Sequence, residues 1–344
     1  MRIEGLWGSE QIAVSILITH RAREFTSNEE QPRKGARSDV ARLGRPEAVA
    51  TGTPAGHYSG MTLDRRTFLA SIGSATAAVI ADNRIVSVLP GALAARKRLD
   101  RIGIQLYTVR GPASTDLVGT LAKLAEIGYK EVEFAGYYNH TAAEIRSVLQ
   151  RYGLTAPSAH IAISALENES QKTFDDARAI GHDWLTVPSL PNGAHDTVDD
   201  WKHVAANFNT VAARVRAAGF RFAYHNHNTE LKRIGYVLPL DVLIEETDPT
   251  LVSFEMDIYW VVNGGGDPLA LLARHPGRIK MLHVKDSLGL PDDKMADVGA
   301  GTIDFKTIFA RANGIEHYFV EHDQPADAFA SAKASFQYLA NLEF

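Results

Sequence analysis

The sequence predicts an α/β protein, a single (β/α)8 TIM barrel preceded by an export signal. Three observations carry that expectation. Short apolar strand candidates alternate eight times with longer amphipathic segments, the mark of parallel α/β construction. Several of those segments end in glycine, at Ile127-Gly128, Tyr152-Gly153, Ile180-Gly181 and Ala218-Gly219, as helices do before the next strand. The stretch that shows the alternation, residues 96–344, has 249 residues. That is close to the roughly 250 of a closed eight-unit barrel.

In chain order, strands are predicted over Ile102–Tyr107, Glu131–Phe134, Ala156–Ile161, Trp184–Val187, Arg221–Asn226, Leu251–Asp257, Ile279–Val284 and Tyr318–Glu321. Helices are predicted over Asp116–Ile127, Thr141–Tyr152, Ser170–Ile180, Val198–Ala218, Leu240–Thr247, Pro268–Arg274, Phe305–Arg311 and Ala326–Leu342. A doubly wound open sheet shares such alternation, but no Gly-x-Gly-x-x-Gly turn follows the first strand. Eight units suit closure better.

The whole chain has 344 residues, 45% hydrophobic and 22% charged, with no Cys and no run of eighteen apolar residues. Those figures exclude a coiled coil, a disulfide-stapled mini-domain, a disordered tail protein and a polytopic membrane protein. The N-terminal part reads differently from the rest. From Met61, the stretch Met61-Thr-Leu-Asp-Arg65-Arg66-Thr-Phe68-Leu69 runs into the weakly apolar Ala70–Ala81, a charged region followed by a hydrophobic one. It resembles a twin-arginine export signal, with an Ala-x-Ala-like cleavage site at Ala92-Leu93-Ala94 ahead of the basic Arg96-Lys97-Arg98. Residues 1–60 are then expected to be a disordered leader or start-site extension, 61–95 the signal and 96–344 the catalytic domain. Localisation is expected to be periplasmic, with no stable membrane insertion once the signal is removed.

Residues 96–344 carry 25 basic and 32 acidic side chains, a net charge of −7, and keep 11 of the 13 His. A basic face for nucleic acid is not expected. Without Cys, any metal must be held by His, Asp, Glu and water.

Chemistry in such a barrel sits where strands end and the following loops begin. Those positions are polar: Gln105 and Tyr107; Glu133; His160; His225, Asn226, His227 and Glu230; Glu255, Asp257 and Trp260; His283, Lys285 and Asp286; Glu321, His322 and Asp323. Residues two apart share a strand face, so Glu255 with Asp257 and His283 with Lys285 are expected to point the same way. A divalent ion is one way to compensate clustered buried carboxylates and imidazoles. Lys285 and Asp286 also suit a rim ion pair, and Gly299 and Gly301 read as turn residues. His140, His182, His195, His203, His275 and His317 fall away from the strand ends and are expected at the surface.

Over 100–344 the chain resembles the xylose isomerase-like TIM barrels of the sugar phosphate isomerase/epimerase group. The most specific stretches are Tyr224-His225-Asn226-His227-Asn-Thr-Glu230, Phe254-Glu-Met-Asp257-Ile-Tyr-Trp260, Pro276 through Asp286, Asp297-Val-Gly-Ala-Gly-Thr-Ile-Asp304 and Val320-Glu321-His-Asp323. The resemblance implies one divalent metal ion, manganese (Mn2+) foremost, with magnesium, cobalt or zinc as alternatives. Its ligands would be Asp257, His283 and Glu321. A fourth would come from strand five, where the expected Glu reads His225-Asn226-His227; either His227 or His225 replaces it, or Glu230 reaches back from the loop. It also implies a sugar or glycoside substrate and allows a homo-oligomer. Trp260 stands where such epimerases place a sugar-contacting His, and offers a stacking surface.

The expected reaction is abstraction of a proton next to a metal-bound carbonyl or hydroxyl, giving an isomerase or epimerase. Glu321 or His225 is the expected base. Lys285 and His160 would supply charge or hydrogen bonds to hydroxyls, Glu133 would orient one of them, and Gln105 and Tyr107 would contact substrate. A lyase acting on 3-keto sugars or glycosides, by C2 deprotonation and loss of the C1 substituent, is the alternative. A non-catalytic sugar-binding barrel is the third reading. An endonuclease of the same superfamily would need more His and Glu ligands and a basic face, which are absent.

Overall fold

The computed structural model describes residues 97–344, apart from 169, 191, 192, 194 and 290–293. It also describes the backbone of two short antiparallel strands, Ala77–Ala81 and Arg84–Val88. The expected leader over 1–60, and the remainder of the expected export signal, lie outside the described residues.

Eight parallel strands close into one barrel. They are β1 (Gly103–Gln105), β2 (Glu131–Ala135), β3 (Thr155–His160), β4 (Trp184–Val187), β5 (Arg221–His225), β6 (Val252–Asp257), β7 (Ile279–Val284) and β8 (His317–Val320). Each pairs with the next, and β8 closes onto β1 through Phe319 opposite Gly103 and Val320 opposite Ile104. That closure needs glycine, because a Cβ at Gly103 would stand 2.5 Å from the Phe319 ring. The strands are largely buried on both faces; Trp184-Leu-Thr-Val187 reads as a mostly apolar run, whereas Glu131-Val-Glu-Phe134 and Val252-Ser-Phe-Glu-Met-Asp257 alternate with polar residues.

The helices between them are bounded by their own caps. Ala142–Tyr152 opens with a reciprocal capping box in which Glu144 N–H donates to Thr141 Oγ1 (3.3 Å) and Thr141 N–H to Glu144 Oε2 (2.8 Å). Such a cap contributes about 1 kcal/mol. The helix stops at Gly153 in the left-handed region (φ 65°), where glycine carries no Cβ penalty. Val198–Ala217 opens the same way through Thr197 and Asp200.

The bottom of the barrel is filled by Trp184, Ala223, Met281 and Phe319. Nearer the carboxyl ends of the strands the buried side chains turn polar: Gln105, Glu133, Ser158, Thr186, His225, Glu255 and His283. This polar layer is the floor of the candidate site. No described helix is long and apolar enough to cross a membrane.

The structure departs from expectation in a few places. The first strand ends at Gln105, because the Gln105 side chain accepts a hydrogen bond from Tyr107 N–H (3.2 Å) and turns Leu106–Val109 into a 3-10 helix. Short helices also form at Arg110–Thr115, Ile163–Asn168 and Ile258–Asn263. Asp286 forms no rim ion pair with Lys285. Its carboxylate instead accepts four backbone N–H groups, from Ser287 (2.8 Å), Gly299 (2.9 Å), Gly301 (3.0 Å) and Ile303 (3.2 Å), and so folds the loop after β7. Two histidines expected at the surface are buried. His182 is bonded through Nδ1 to Ala156 O (2.7 Å), and His275 through Nε2 to Asp241 Oδ1 (2.8 Å).

Candidate metal centre and active site

Strand alternation aims Glu255 and Asp257 of β6 inward together, and His283 with Lys285 beside them. His225 ends β5, His160 ends β3, and Glu321 directly follows β8. All of these groups are buried except His160, which is partly exposed, and they interlock.

The deeper half of the cluster is built on two carboxylates. Glu133 Oε2 lies 2.7 Å from His283 Nε2, 2.7 Å from Gln105 Nε2 and 3.3 Å from His160 Nε2, and Ser158 Oγ donates to Glu133 Oε1. Glu255 Oε2 lies 3.0 Å from His160 Nε2, 3.1 Å from His283 Nε2 and 3.2 Å from His225 Nδ1. The outer half is built on a lysine. Lys285 Nζ lies 2.8 Å from Glu321 Oε2, 2.9 Å from Asp323 Oδ1 and 3.0 Å from Asp257 Oδ2, with His283 Nδ1 2.8 Å from the same Glu321 oxygen.

Protonation follows from this wiring. Burial alone would raise the Glu321 carboxyl, but Lys285 and His283 outweigh it and hold it well below the usual carboxylate range. Burial likewise opposes charge on Lys285, yet Asp257, Glu321 and Asp323 keep it an ammonium. Asp257 shifts the other way from Glu321. Burial raises it to about 6 even with Lys285 and His283 beside it. His227 is pushed down to about 4 by burial and by Lys285, so it is neutral at neutral pH.

Five carboxylates, Glu133, Glu255, Asp257, Glu321 and Asp323, face one lysine and the His283 imidazole, which Glu255 and Glu321 hold protonated, so the cluster is still short of positive charge. Two overlapping tetrads have ligand atoms within 4.8 Å of one another: His225, Asp257, His283 and Glu321 at the mouth, and His160, His225, Glu255 and His283 below it. The residues of the mouth tetrad fit a divalent ion. Asp257 Oδ2 is buried and accepts no hydrogen bond, with Lys285 as its ion-pair neighbour. His283 has carboxylates at both ring nitrogens; against burial, Glu255 and Glu321 hold its imidazole protonated well above its ordinary value, and a divalent ion would take the place of the Nδ1 proton in front of Glu321. Two imidazoles with two carboxylates is a donor set taken by zinc, manganese and their neighbours.

A cavity of about 510 Å³ opens above the cluster, lined by Tyr107, His160, His225, His227, Lys285 and Glu321 among others. The residues singled out from sequence take several places around it. Tyr107 stands at the rim, 42% exposed, under the Arg110 guanidinium (4.1 Å). Gln105 and Glu133 lie in the floor. Trp260 is not among the cavity-lining residues; its ring packs beside His227 (5.5 Å) and Lys285 (5.5 Å). Of the three candidates for the strand-five ligand, only His225 joins a tetrad. Glu230 sits in a 3-10 turn, Thr229–Leu231, that directs its carboxylate to the Tyr224 hydroxyl and His227 N–H. Glu255 and Asp323 had no role assigned from sequence. Their signal was spacing: each lies two residues from a ligand candidate, Glu255 on the same strand face as Asp257 and Asp323 in the loop just after Glu321.

A closed barrel with imidazoles and carboxylates converging at the carboxyl ends of its strands defines the class, a (β/α)8 protein with an enzyme-like site at the expected end. The chain belongs to the xylose isomerase-like TIM barrel family, whose model matches residues 121–342. It is 27% identical over 267 residues to an inosose dehydratase of Geobacillus kaustophilus, a match that covers 64% of this chain and 86% of that protein. Two sugar phosphate isomerase/epimerase structures from Parabacteroides distasonis superpose on it, each with a TM-score of 0.61. One is 26% identical, covering 76% of this chain and 99% of its own. The other is 29% identical, covering 70% and 98%.

Proposed function

We propose that the chain is a carbohydrate-acting, divalent-metal-dependent enzyme that removes a proton from the carbon beside a carbonyl of a sugar or polyol. The observation that carries this reading is the convergence of His225, Asp257, His283 and Glu321 from four consecutive strands beside the cavity. A cation held by those four residues, manganese first and magnesium, cobalt or zinc as alternatives, supplies Lewis acidity next to the substrate oxygen.

The chain's own groups do the rest. Glu321 and His227 line the cavity and are unprotonated at neutral pH, so each can accept the proton at its free oxygen or ring nitrogen. Lys285 reaches the same cavity as an ammonium and donates to a substrate hydroxyl or to developing negative charge. His160, also on the wall, is oriented through Nε2 by Glu255 and Glu133. Lys285 is the one Lys or Arg among the lining residues, and it already faces three carboxylates. That balance favours a neutral sugar or polyol over a phosphorylated one, as does the export expected from the Arg65-Arg66 segment.

Return of the proton to the other face or to the adjacent carbon makes the protein an epimerase or isomerase. The second reading is a lyase, in which a group on the next carbon is expelled instead. The similarity to an inosose dehydratase favours it, and 3-keto glycosides are substrates of the right chemistry. Metal-loaded protein in deuterium oxide, offered free ketoses, keto-polyols and 3-keto glycosides and followed by NMR, separates the two. Deuterium at a sugar carbon with the skeleton intact supports the isomerase, and release of water or an aglycone supports the lyase. Absence of exchange with all four metals ends the catalytic reading.

A further inference from the structure

Glu255 touches the chemistry above only by orienting His160, yet it is fully buried at the centre of the cluster. Its Oε2 faces three imidazoles at hydrogen-bond distance, and Oε1 accepts none. The two ring nitrogens of His225 differ in what they meet. Nδ1 is 3.2 Å from Glu255 Oε2, whereas Nε2 is 3.8 Å from Asp257 Oδ2, beyond hydrogen-bond reach. The nitrogens of His283 differ as well. Two carboxylates converge on Nε2, Glu133 at 2.7 Å and Glu255 at 3.1 Å, against the single Glu321 on Nδ1. Glu133 is itself fixed by Gln105 and Ser158.

An imidazole that ligates a metal is neutral and carries one proton, and the nitrogen that faces the better acceptor keeps it. We propose that Glu255 is a positioning residue that holds His225 as the Nδ1–H tautomer and, together with the nearer Glu133, His283 as the Nε2–H tautomer. The lone pairs of His225 Nε2 and His283 Nδ1 are thereby turned toward Asp257 and Glu321. The lower tetrad is then the orienting network of the mouth tetrad and not a second metal site, because the two sets use opposite nitrogens of the same two rings. This inference rests on the metal reading above. Carboxylates that orient ligating imidazoles are worth 10–100-fold in metal affinity.

The test uses zinc as the probe. In protein labelled with 15N-histidine and loaded with zinc, two-bond proton–nitrogen spectra should show His225 metal-shifted at Nε2 and protonated at Nδ1, and His283 the reverse. Assignment comes from through-bond correlation of the labelled rings to the assigned backbone of the zinc-loaded protein. Glu255→Gln should keep one zinc per chain, weaken it 10–100-fold in competition with a chelator, and lose the single-tautomer signature of His225. His160→Gln should hold zinc within about threefold of the parent protein. Unchanged affinity and tautomers in Glu255→Gln overturn the inference, as does loss of zinc in His160→Gln. A parent protein that binds no zinc, manganese, cobalt or magnesium overturns the metal reading itself and this inference with it.

Discussion

The Lys285 ammonium lies 3.0 Å from Asp257 Oδ2, a buried oxygen that accepts no hydrogen bond. Lys285 therefore does part of the charge compensation that a divalent ion would complete. Removing one member of a buried charge network typically costs about 3–5 kcal/mol, because the partners are left uncompensated. Lys285→Met should destabilise the metal-free protein by that order in denaturant titrations. Manganese or zinc should restore more stability to this variant than it adds to the parent. Equal stabilisation of both by metal would contradict the shared role.

The mouth tetrad separates ligands from neighbours. Asp257→Ala and His283→Ala should each purify without metal by elemental analysis, and full occupancy in both would sink the assignment. Glu230→Gln should keep its metal and lose roughly 1–3 kcal/mol of stability, since Glu230 is the buried acceptor of the Tyr224 hydroxyl.

His182 supplies a pH dependence remote from the site. Burial pushes its imidazole down to about 4, against 6.5 in the unfolded chain. Between those values the unfolded chain binds the proton and the native one does not. The contribution is thus fully present above pH 6.5 and is lost as pH falls toward 4. Between pH 7 and pH 4.5 the parent should lose about 2–3 kcal/mol more than His182→Gln. Parallel losses would show that His182 titrates freely in the native state.

Export is tested by the paired arginines. An Arg65→Lys/Arg66→Lys double change should leave unprocessed precursor in the cytoplasm, whereas normal processing would remove the export reading.

Most of the barrel was legible because its signals are local. The parallel strands are short, largely buried stretches rich in apolar residues, and glycines such as Gly153 mark helix ends by a conformation other residues avoid. Strand periodicity also placed Asp257, His283 and Lys285 at the inward positions. Three features depended on turns that periodicity does not encode. Gln105 ends β1 early through its own side chain, the 3-10 turn after β5 takes Glu230 away from the cluster, and Asp286 spends its carboxylate on the loop instead of on Lys285. Glu255 was visible as a carboxylate two residues before Asp257. Its role depends on which ring nitrogen of His225 and His283 it meets, and that exists only once β5, β6 and β7 are side by side. His182 was placed at the surface because a helix-end histidine usually is; here it is packed against Tyr137 (ring centroids 6.0 Å).

The central claim is the location of one divalent ion. The direct measurement is anomalous X-ray diffraction from crystals grown with manganese or zinc, collected on both sides of the metal's absorption edge. A single anomalous peak bounded by His225 Nε2, Asp257, His283 Nδ1 and Glu321 is the predicted result. A peak among His160, His225, Glu255 and His283, or no peak in crystals that retain the barrel, would contradict it.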